Sequence, residues 1–239
     1  MNKKIKIGVL GCANIARRSV IPAILELPEF FELVYVASRN LEKAKTVALE
    51  FNCGYFGSYQ ELIDSSEIEA LYVPLPTGLH REWIIKALDS GKHVYAEKSF
   101  ASNYSEACEM MELAKEKNLA VMEGFMFQYH KQHQIVFDLI KSNRIGAIRN
   151  FSATFCFPPL DHGNFRYDDI VGGGALLDAA GYTVRACHFM MGENFQLKAA
   201  SLFIDKNIGT NIFGSAYLVD PETKVGASLA FGFDNFYQS

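Results

Sequence analysis

The residues best placed to bind a ligand lie near the start of the chain, where an apolar run beginning at Ile5 leads into Gly11-Cys12-Ala13-Asn14-Ile15-Ala16. Small residues allow the backbone to approach a pyrophosphate, and the first N–H groups of the following helix lack intrahelical partners, so they point at negative charge. The spacing Gly11-x-Ala13-x-x-Ala16 varies the common pattern that has glycine at all three positions. It predicts a dinucleotide site formed by Gly11, Cys12, Ala13, Asn14 and Ile15.

The second apolar run, Phe31 to Ala37, ends in Ser38-Arg39, where dinucleotide-binding folds place the residue that reads the adenosine ribose. A carboxylate there would accept a hydrogen bond from a free 2′-hydroxyl. A hydroxyl beside a guanidinium suits a 2′-phosphate instead, and Lys43 adds positive charge. We therefore expect NADP rather than NAD; the alternative is that Arg39 and Lys43 belong to an ordinary solvated helix entrance.

Four further side chains could take part in proton transfer or ligand contact. Lys98 follows a predicted strand at the edge of the sheet where ligands bind, and a lysine shielded from water can exchange a proton near neutral pH. Asp178 and Tyr182 are four residues apart in a predicted helix and would share one face. His80 begins a helix and could line the cofactor. Each has a simpler alternative. Lys98 could be solvated, and His80 could only cap its turn. Asp178 could be an ordinary charged residue in the first turn of its helix, and Tyr182 could only pack in the core.

Composition excludes several classes of protein. The net charge of −4 gives no basic footprint for nucleic acid, and no apolar run approaches the roughly 20 residues of a membrane span. The chain begins without an apolar signal segment, so we expect a soluble cytoplasmic protein. Its five cysteines are scattered without a C-x-x-C pair, which favours reduced thiols. His130 and His133 have helical spacing but no further ligand cluster, so no metal is predicted.

From Ile5 to about Gly124, apolar runs alternate with helical patterns, which predicts a parallel sheet covered by helices. Pro22 predicts a kink or break in the first helix near 19–21. Strands are predicted at 31–37, 70–73, 93–96 and 120–122, and helices at 41–51, 80–90 and 104–117.

After Gly124 the pattern changes. Phe151, Ala153, Phe155 and Phe157 alternate with polar residues, a two-residue period that we interpret as an antiparallel sheet. Further strands are predicted at 197–203, 212–219 and 225–233, and helices at 134–142 and 176–191. We therefore predict an NADP-binding domain over 1–124 and a substrate-binding and dimerisation domain over 125–239, which is α+β and built on a mostly antiparallel open sheet.

Several segments taken together resemble the Gfo/Idh/MocA oxidoreductases, the family of glucose-fructose oxidoreductase and inositol dehydrogenase. The resemblance covers essentially the whole chain. Its marks are Gly8 to Ala16, Val36 to Arg39, Gly91 to Val94, Glu97-Lys98, Gly172 to Asp178 and Tyr182. Within the family, Pro74 to Trp83, Glu123 to Phe127 and Phe233 to Tyr237 are most similar to the nucleotide-sugar 3-ketoreductases of deoxysugar pathways.

The resemblance implies a Rossmann-type first domain, NADPH as cofactor and hydride transfer to a keto group, at C3, of a nucleotide-linked sugar. It implies that Lys98 is the catalytic acid and that Tyr182 lies beside the substrate carbonyl. Tyr59, Leu75, His80, Glu97, Lys98, Arg166 and Asp178 would line the cofactor, and Lys98, Asp178, Tyr182 and Tyr237 would contact the substrate.

The chain departs from the family pattern at Ser99, where proline usually follows the lysine. Family members continue beyond position 239 with further strands, so we expect a truncated sheet. Alternative functions are an NADP-dependent dehydrogenase of free sugars or trans-dihydrodiols, and a non-catalytic NADP-binding module. We also expect a homodimer or higher homo-oligomer through the C-terminal sheet, because the face bearing Phe151, Phe155 and Phe157 is apolar.

Overall fold

The computed structural model describes residues 3–237 and divides into two compact units, one ending at Gly124 and the other beginning at Phe125. The first unit contains a six-stranded parallel sheet in the order β3-β2-β1-β4-β5-β6. This is the order of a doubly wound dinucleotide-binding fold. Its strands are β1 (Ile5–Leu10), β2 (Phe31–Ala37), β3 (Gly54–Phe56), β4 (Ala70–Val73), β5 (His93–Ala96) and β6 (Val121–Glu123).

Helices follow the strands because their apolar residues recur at three- and four-residue spacing and pack on the sheet. They are α1 (Ile21–Leu25), α2 (Leu41–Phe51), α3 (Tyr59–Asp64), α4 (His80–Asp89) and α5 (Tyr104–Glu116). Asn40, Ser58 and Asn103 cap α2, α3 and α5, each side chain accepting a hydrogen bond from the backbone N–H three residues later.

Two details of this unit go beyond the sequence prediction. The first helix is π-helical over Ala16–Val20 and α-helical from Ile21, so the irregularity predicted from Pro22 is a change of helix type. The sequence analysis also missed β3 and α3, because both are too short to show a clear period.

The second unit contains a four-stranded mixed sheet in the order β7-β10-β9-β8. Its elements are α6 (Gln132–Lys141), β7 (Asn150–Cys156), α7 (Ala175–Asp178), α8 (Ala180–Met191), β8 (Gln196–Ile204), β9 (Asn211–Val219) and β10 (Gly226–Gly232). The two pairings made by β9 are antiparallel, as expected. The interpretation of β7 as an antiparallel strand was wrong, because it pairs with β10 in parallel.

The apolar face of β7 is also not the open face of this sheet. Phe151 packs on a core cluster that includes Cys187 of α8, and Phe155 and Phe157 pack on one that includes Ala175 of α7. The expectation that these phenylalanines form a dimer surface was therefore wrong. The opposite face, which is open, carries mostly small side chains together with the exposed rings of Phe213 and Tyr217; the small ones are Ser152, Thr154, Ser201, Ser215, Ser228 and Ala230.

Candidate functional site

Gly11 forms the turn after β1 in a conformation that L side chains rarely adopt, with φ of +128°. A Cβ atom there would lie 3.0 Å from Leu75 Cδ2 and 3.8 Å from the Tyr59 hydroxyl. Another residue at this position would therefore be strained and would press its side chain against Leu75. A turn without a side chain here is what the phosphate-binding prediction requires.

Cys12 follows Gly11 with a buried side chain whose thiol lies 3.9 Å from the carbonyl oxygen of Ala37. Burial raises the pKa of this thiol, although the nearby charges of Lys43 and Arg17 oppose the rise. A buried thiol with a raised pKa is a poor nucleophile. Any contribution of Cys12 to a ligand site would thus come from its backbone. Ala13, Asn14 and Ile15 follow it along the chain, and Asn14 is exposed.

The predicted ribose-reading residues lie at the start of α2. The buried Ser38 accepts a hydrogen bond from the Asn40 N–H through its hydroxyl, at 3.2 Å, and Lys43 is exposed. Arg39 is exposed and hydrogen-bonds the phenol of Tyr59; burial raises the pKa of Tyr59, and the charge of Arg39 partly offsets the rise. Glu42 is the acidic residue in the first turn of α2, and its Oε1 lies 2.8 Å from Lys45 Nζ. The fold thus groups Gly11, Arg39 and Tyr59, which are widely separated in sequence.

Glu97 ends β5 as a buried carboxylate, 8% exposed, whose Oε1 accepts a hydrogen bond from the Tyr72 hydroxyl at 2.6 Å. Burial raises the pKa of Tyr72 strongly, and the charge of Glu97 adds to the rise. The phenol therefore stays protonated and remains a donor. Sequence reasoning missed Tyr72, which looks like an ordinary apolar residue of a central strand.

The segment after Glu97 is tied to neighbouring strands. The Lys98–Ser99 peptide bond is cis, although serine replaces the usual proline. The Phe100 N–H donates to Glu123 Oε1 at the end of β6, at 2.8 Å. Lys98 thus lies in a short segment held from both sides.

His80 is completely buried, and both of its ring nitrogens face backbone carbonyls. Nε2 lies 2.8 Å from the Leu75 oxygen, and Nδ1 lies 3.2 Å from the Phe100 oxygen. Burial lowers the pKa of His80, against the raising effect of these carbonyls. The side chain links the loop after β4 to the loop after β5, and its predicted contact with a cofactor stays a prediction.

In the second unit the structure brings together two of the predicted residues. Arg166 Nε donates to Asp178 Oδ2 at 2.6 Å, and both side chains are largely buried. The Arg166 carbonyl also accepts a hydrogen bond from the Gly174 N–H at 2.7 Å, so this residue holds both ends of the turn into α7.

Asp178 and Tyr182 do not belong to one continuous helix, contrary to the prediction. The helix is interrupted at Ala179, where φ is −103°. The Tyr182 ring packs against Phe155, with centroids 4.4 Å apart, and edge-on against Phe125 at 5.7 Å. Tyr237, the other predicted substrate contact in this unit, is 82% exposed.

Among residues 3–237, no helix is long and apolar enough to cross a membrane. Within the same range, no three His, Cys, Asp or Glu side chains lie together in a way that could hold a metal ion, His130 and His133 included.

Comparison with known proteins gives the same family for both units. The family described as "Oxidoreductase family, NAD-binding Rossmann fold" matches residues 5–125, and the GFO/IDH/MocA C-terminal domain matches residues 133–233.

Similar proteins cover the whole chain. It is 42% identical to a dTDP-3,4-didehydro-2,6-dideoxy-alpha-D-glucose 3-reductase from Saccharopolyspora spinosa, over 100% of this chain and 71% of that protein. The protein of the same name from Streptomyces violaceoruber is 37% identical over 98% of this chain and 68% of its own. The crystal structure of KijD10, a 3-ketoreductase from Actinomadura kijaniata in complex with NADP and TDP-benzene, superposes with a TM-score of 0.95 at 38% identity, covering 98% of this chain and 72% of that one. The chain therefore belongs to the Gfo/Idh/MocA family of oxidoreductases.

Proposed function

We propose that this chain is an NADPH-dependent reductase that transfers a hydride to the C3 keto group of a deoxysugar carried on a nucleoside diphosphate. The observation that carries the proposal is the similarity along the full chain to dTDP-sugar 3-reductases, together with the likeness to a 3-ketoreductase solved with NADP and TDP-benzene. The residues of the first unit are consistent with that cofactor.

The cofactor assignment rests on two features of the first unit. Gly11 carries no side chain in the turn after β1, where a Cβ would lie 3.0 Å from Leu75 Cδ2, and the backbone N–H groups of residues 11–15 would bind the pyrophosphate. Ser38, Arg39 and Lys43 would bind the 2′-phosphate, since a hydroxyl and two cations suit that group better than a free hydroxyl. When bound, NADPH supplies the hydride.

We assign Lys98 as the donor of the proton that the reduced carbonyl oxygen receives. As the carbonyl carbon gains the hydride, the electron pair of the C=O bond moves to the oxygen, and the Lys98 ammonium donates a proton there. We assign to Tyr182 a hydrogen bond to the same oxygen. KijD10 was solved as variants with a lysine changed to alanine and with a tyrosine changed to phenylalanine, and those two residues are separated by the same number of positions as Lys98 and Tyr182.

The first test is a fluorescence titration of the chain with NADPH and NADH, with and without thymidine diphosphate. The proposal expects tight, NADPH-selective binding that the diphosphate strengthens. Binding of NADPH that ignores the diphosphate would favour a dehydrogenase of free sugars or dihydrodiols. Failure to bind either dinucleotide would contradict the proposal.

The second test measures NADPH consumption with a dTDP-3-keto-deoxysugar. The Lys98→Ala variant should lose about 100-fold or more in kcat, the range expected for a general acid, while still binding NADPH. Lys86→Ala removes an exposed lysine paired with Glu82 and serves as the matched control. NADPH binding without turnover on any keto sugar would instead indicate a non-catalytic binding module.

A further inference from the structure

The Tyr72–Glu97 pair lies inside the first unit, next to the residue assigned as the acid. Tyr72 is 1% exposed, and its hydroxyl lies 2.6 Å from Glu97 Oε1. A bond of this length between a hydroxyl and a carboxylate is typical of a charge-assisted hydrogen bond. Because burying a carboxylate without a hydrogen-bond donor is strongly unfavourable, the Tyr72 hydroxyl helps to hold the Glu97 side chain in its buried position.

The phenol itself is held rigidly. Tyr72 lies on β4, where it pairs with Val9 of β1 on one side and Tyr95 of β5 on the other. Its ring stacks on the Tyr95 ring, with centroids 5.2 Å apart and planes at 23°. The neighbouring strands β1 and β5 therefore fix the position of the Tyr72 hydroxyl oxygen.

Lys98 lies between two anchored residues. The Glu97 N–H donates to the Val73 carbonyl at 3.1 Å, while the Glu97 carboxylate is bound by Tyr72. Two residues beyond Lys98, the Phe100 N–H donates to Glu123 at 2.8 Å. Of the two hydrogen bonds that hold Glu97, the one to its side chain comes from Tyr72.

We propose that Tyr72 is a positioning residue for the reaction: its hydroxyl fixes the Glu97 carboxylate and thereby the backbone from which Lys98 acts. The inference rests on the proposed function, because it matters for catalysis only if Lys98 is the acid. The competing interpretation is that Tyr72 is a core tyrosine whose hydroxyl affects only folding stability.

The test compares Tyr72→Phe with Tyr35→Phe. Tyr35 also donates to a glutamate, Glu67, at 3.2 Å in the same unit, but at an exposed site. Hydrogen exchange of the peptide covering 97–103 is measured without ligand, NADPH affinity by fluorescence, and kcat and KM with the keto sugar. In Tyr72→Phe we expect exchange of 97–103 to accelerate several-fold and kcat to fall about 10-fold or more, with KM for the sugar within about 2-fold. Tyr35→Phe should match the wild type in all three measurements.

A double-mutant cycle with Glu97→Ala, which removes the acceptor of the Tyr72 hydroxyl, decides whether Tyr72 acts through Glu97. If it does, adding Tyr72→Phe to Glu97→Ala changes exchange and kcat little further, since the partner is already lost. Effects that multiply, or a Tyr72→Phe variant that behaves like Tyr35→Phe, would overturn the inference. If the wild type binds NADPH but reduces no keto sugar, the proposed function fails, and the exchange arm still decides whether Tyr72 positions the segment.

Discussion

At the residue scale, Arg39 and Tyr59 show how a predicted contact depends on a distant partner. The type and position of Arg39 predict a phosphate ligand, and the structure adds that its guanidinium is hydrogen-bonded to the Tyr59 phenol. Tyr59 packs edge-on against Trp83, with centroids 5.0 Å apart, which fixes its ring. Arg39 is thus oriented before any ligand arrives.

Replacing Arg39 by alanine should weaken NADPH binding about 10- to 100-fold and leave NADH binding nearly unchanged, because hydrogen bonds to a charged group contribute about 1.5–3 kcal/mol. Fluorescence titration with both dinucleotides measures this ratio. Lys45→Ala, which removes a cation paired with Glu42 on α2, is the control. An equal loss of affinity for NADPH and NADH would contradict the assignment of a 2′-phosphate.

His80 should make the first unit less stable in acid. Burial lowers its pKa in the folded state, so between that value and the unfolded value of about 6.5 the unfolded chain binds more protons. Stability is then full above about pH 6.5 and falls as pH decreases, by at most about 1.4 kcal/mol per pH unit. Urea unfolding followed by the fluorescence of Trp83, the single tryptophan, measures this between pH 5 and about pH 7.5.

The control for this prediction is a second histidine. His80→Gln should remove the acid-side slope whatever it does to stability at pH 7.5, whereas His162→Gln changes an exposed loop residue and should keep it. A slope that survives in His80→Gln would assign the effect to another group.

At the element scale, the turn into α7 depends on contacts that its glycines permit. Gly174 has φ of +98°, and a Cβ there would collide with the side-chain amide of Asn211. Asn211 Oδ1 in turn accepts a hydrogen bond from the Leu176 N–H, at 2.7 Å. The residue that caps this short helix thus comes from β9, 35 positions away, and no local pattern of residues reveals it.

Gly174→Ala should destabilise the second unit by about 1–3 kcal/mol, because it adds a steric clash to an unfavourable backbone conformation. Gly209→Ala separates the two effects, since Gly209 has φ of +85° but nothing within 4 Å of its added Cβ. Hydrogen exchange of α8 and β10 follows the stability of the second unit. If both variants lose the same stability, the clash with Asn211 contributes nothing.

At the scale of the whole molecule, the homodimer remains a prediction, but the surface expected to form it changes. The phenylalanine face of the second sheet is covered by α7 and α8, so it is not available to a partner. The open face carries small residues such as Ser228, and all nine residues of the edge strand β8 are exposed. Open strand edges and exposed apolar side chains favour association with another chain.

Light scattering at micromolar concentration should therefore give the mass of a dimer, and Ser228→Arg should give a monomer that remains folded. The arginine would place a charge on the open face of β10, where a closely packed partner could not accommodate it. Ser66→Arg, at an exposed position of the first unit, should remain a dimer. A monomeric wild type would contradict the prediction.

The sequence by itself determined the alternation of strands and helices in the first unit, the glycine turn at Gly11 and the basic residue at Arg39. These features depend on local spacing and residue type, which the chain displays directly. It also determined the family, because the marks at Glu97-Lys98 and Gly172 to Asp178 resemble the family and its models match residues 5–125 and 133–233.

Only the tertiary structure decided which side chains hold those residues in place. Tyr72 binds Glu97 from 25 positions away, and His80 reaches Phe100 over 20 positions. The parallel pairing of β7 with β10, and with it the burial of Phe155, likewise depends on how distant strands associate. Such contacts form between segments far apart along the chain, so no local pattern of residues encodes them.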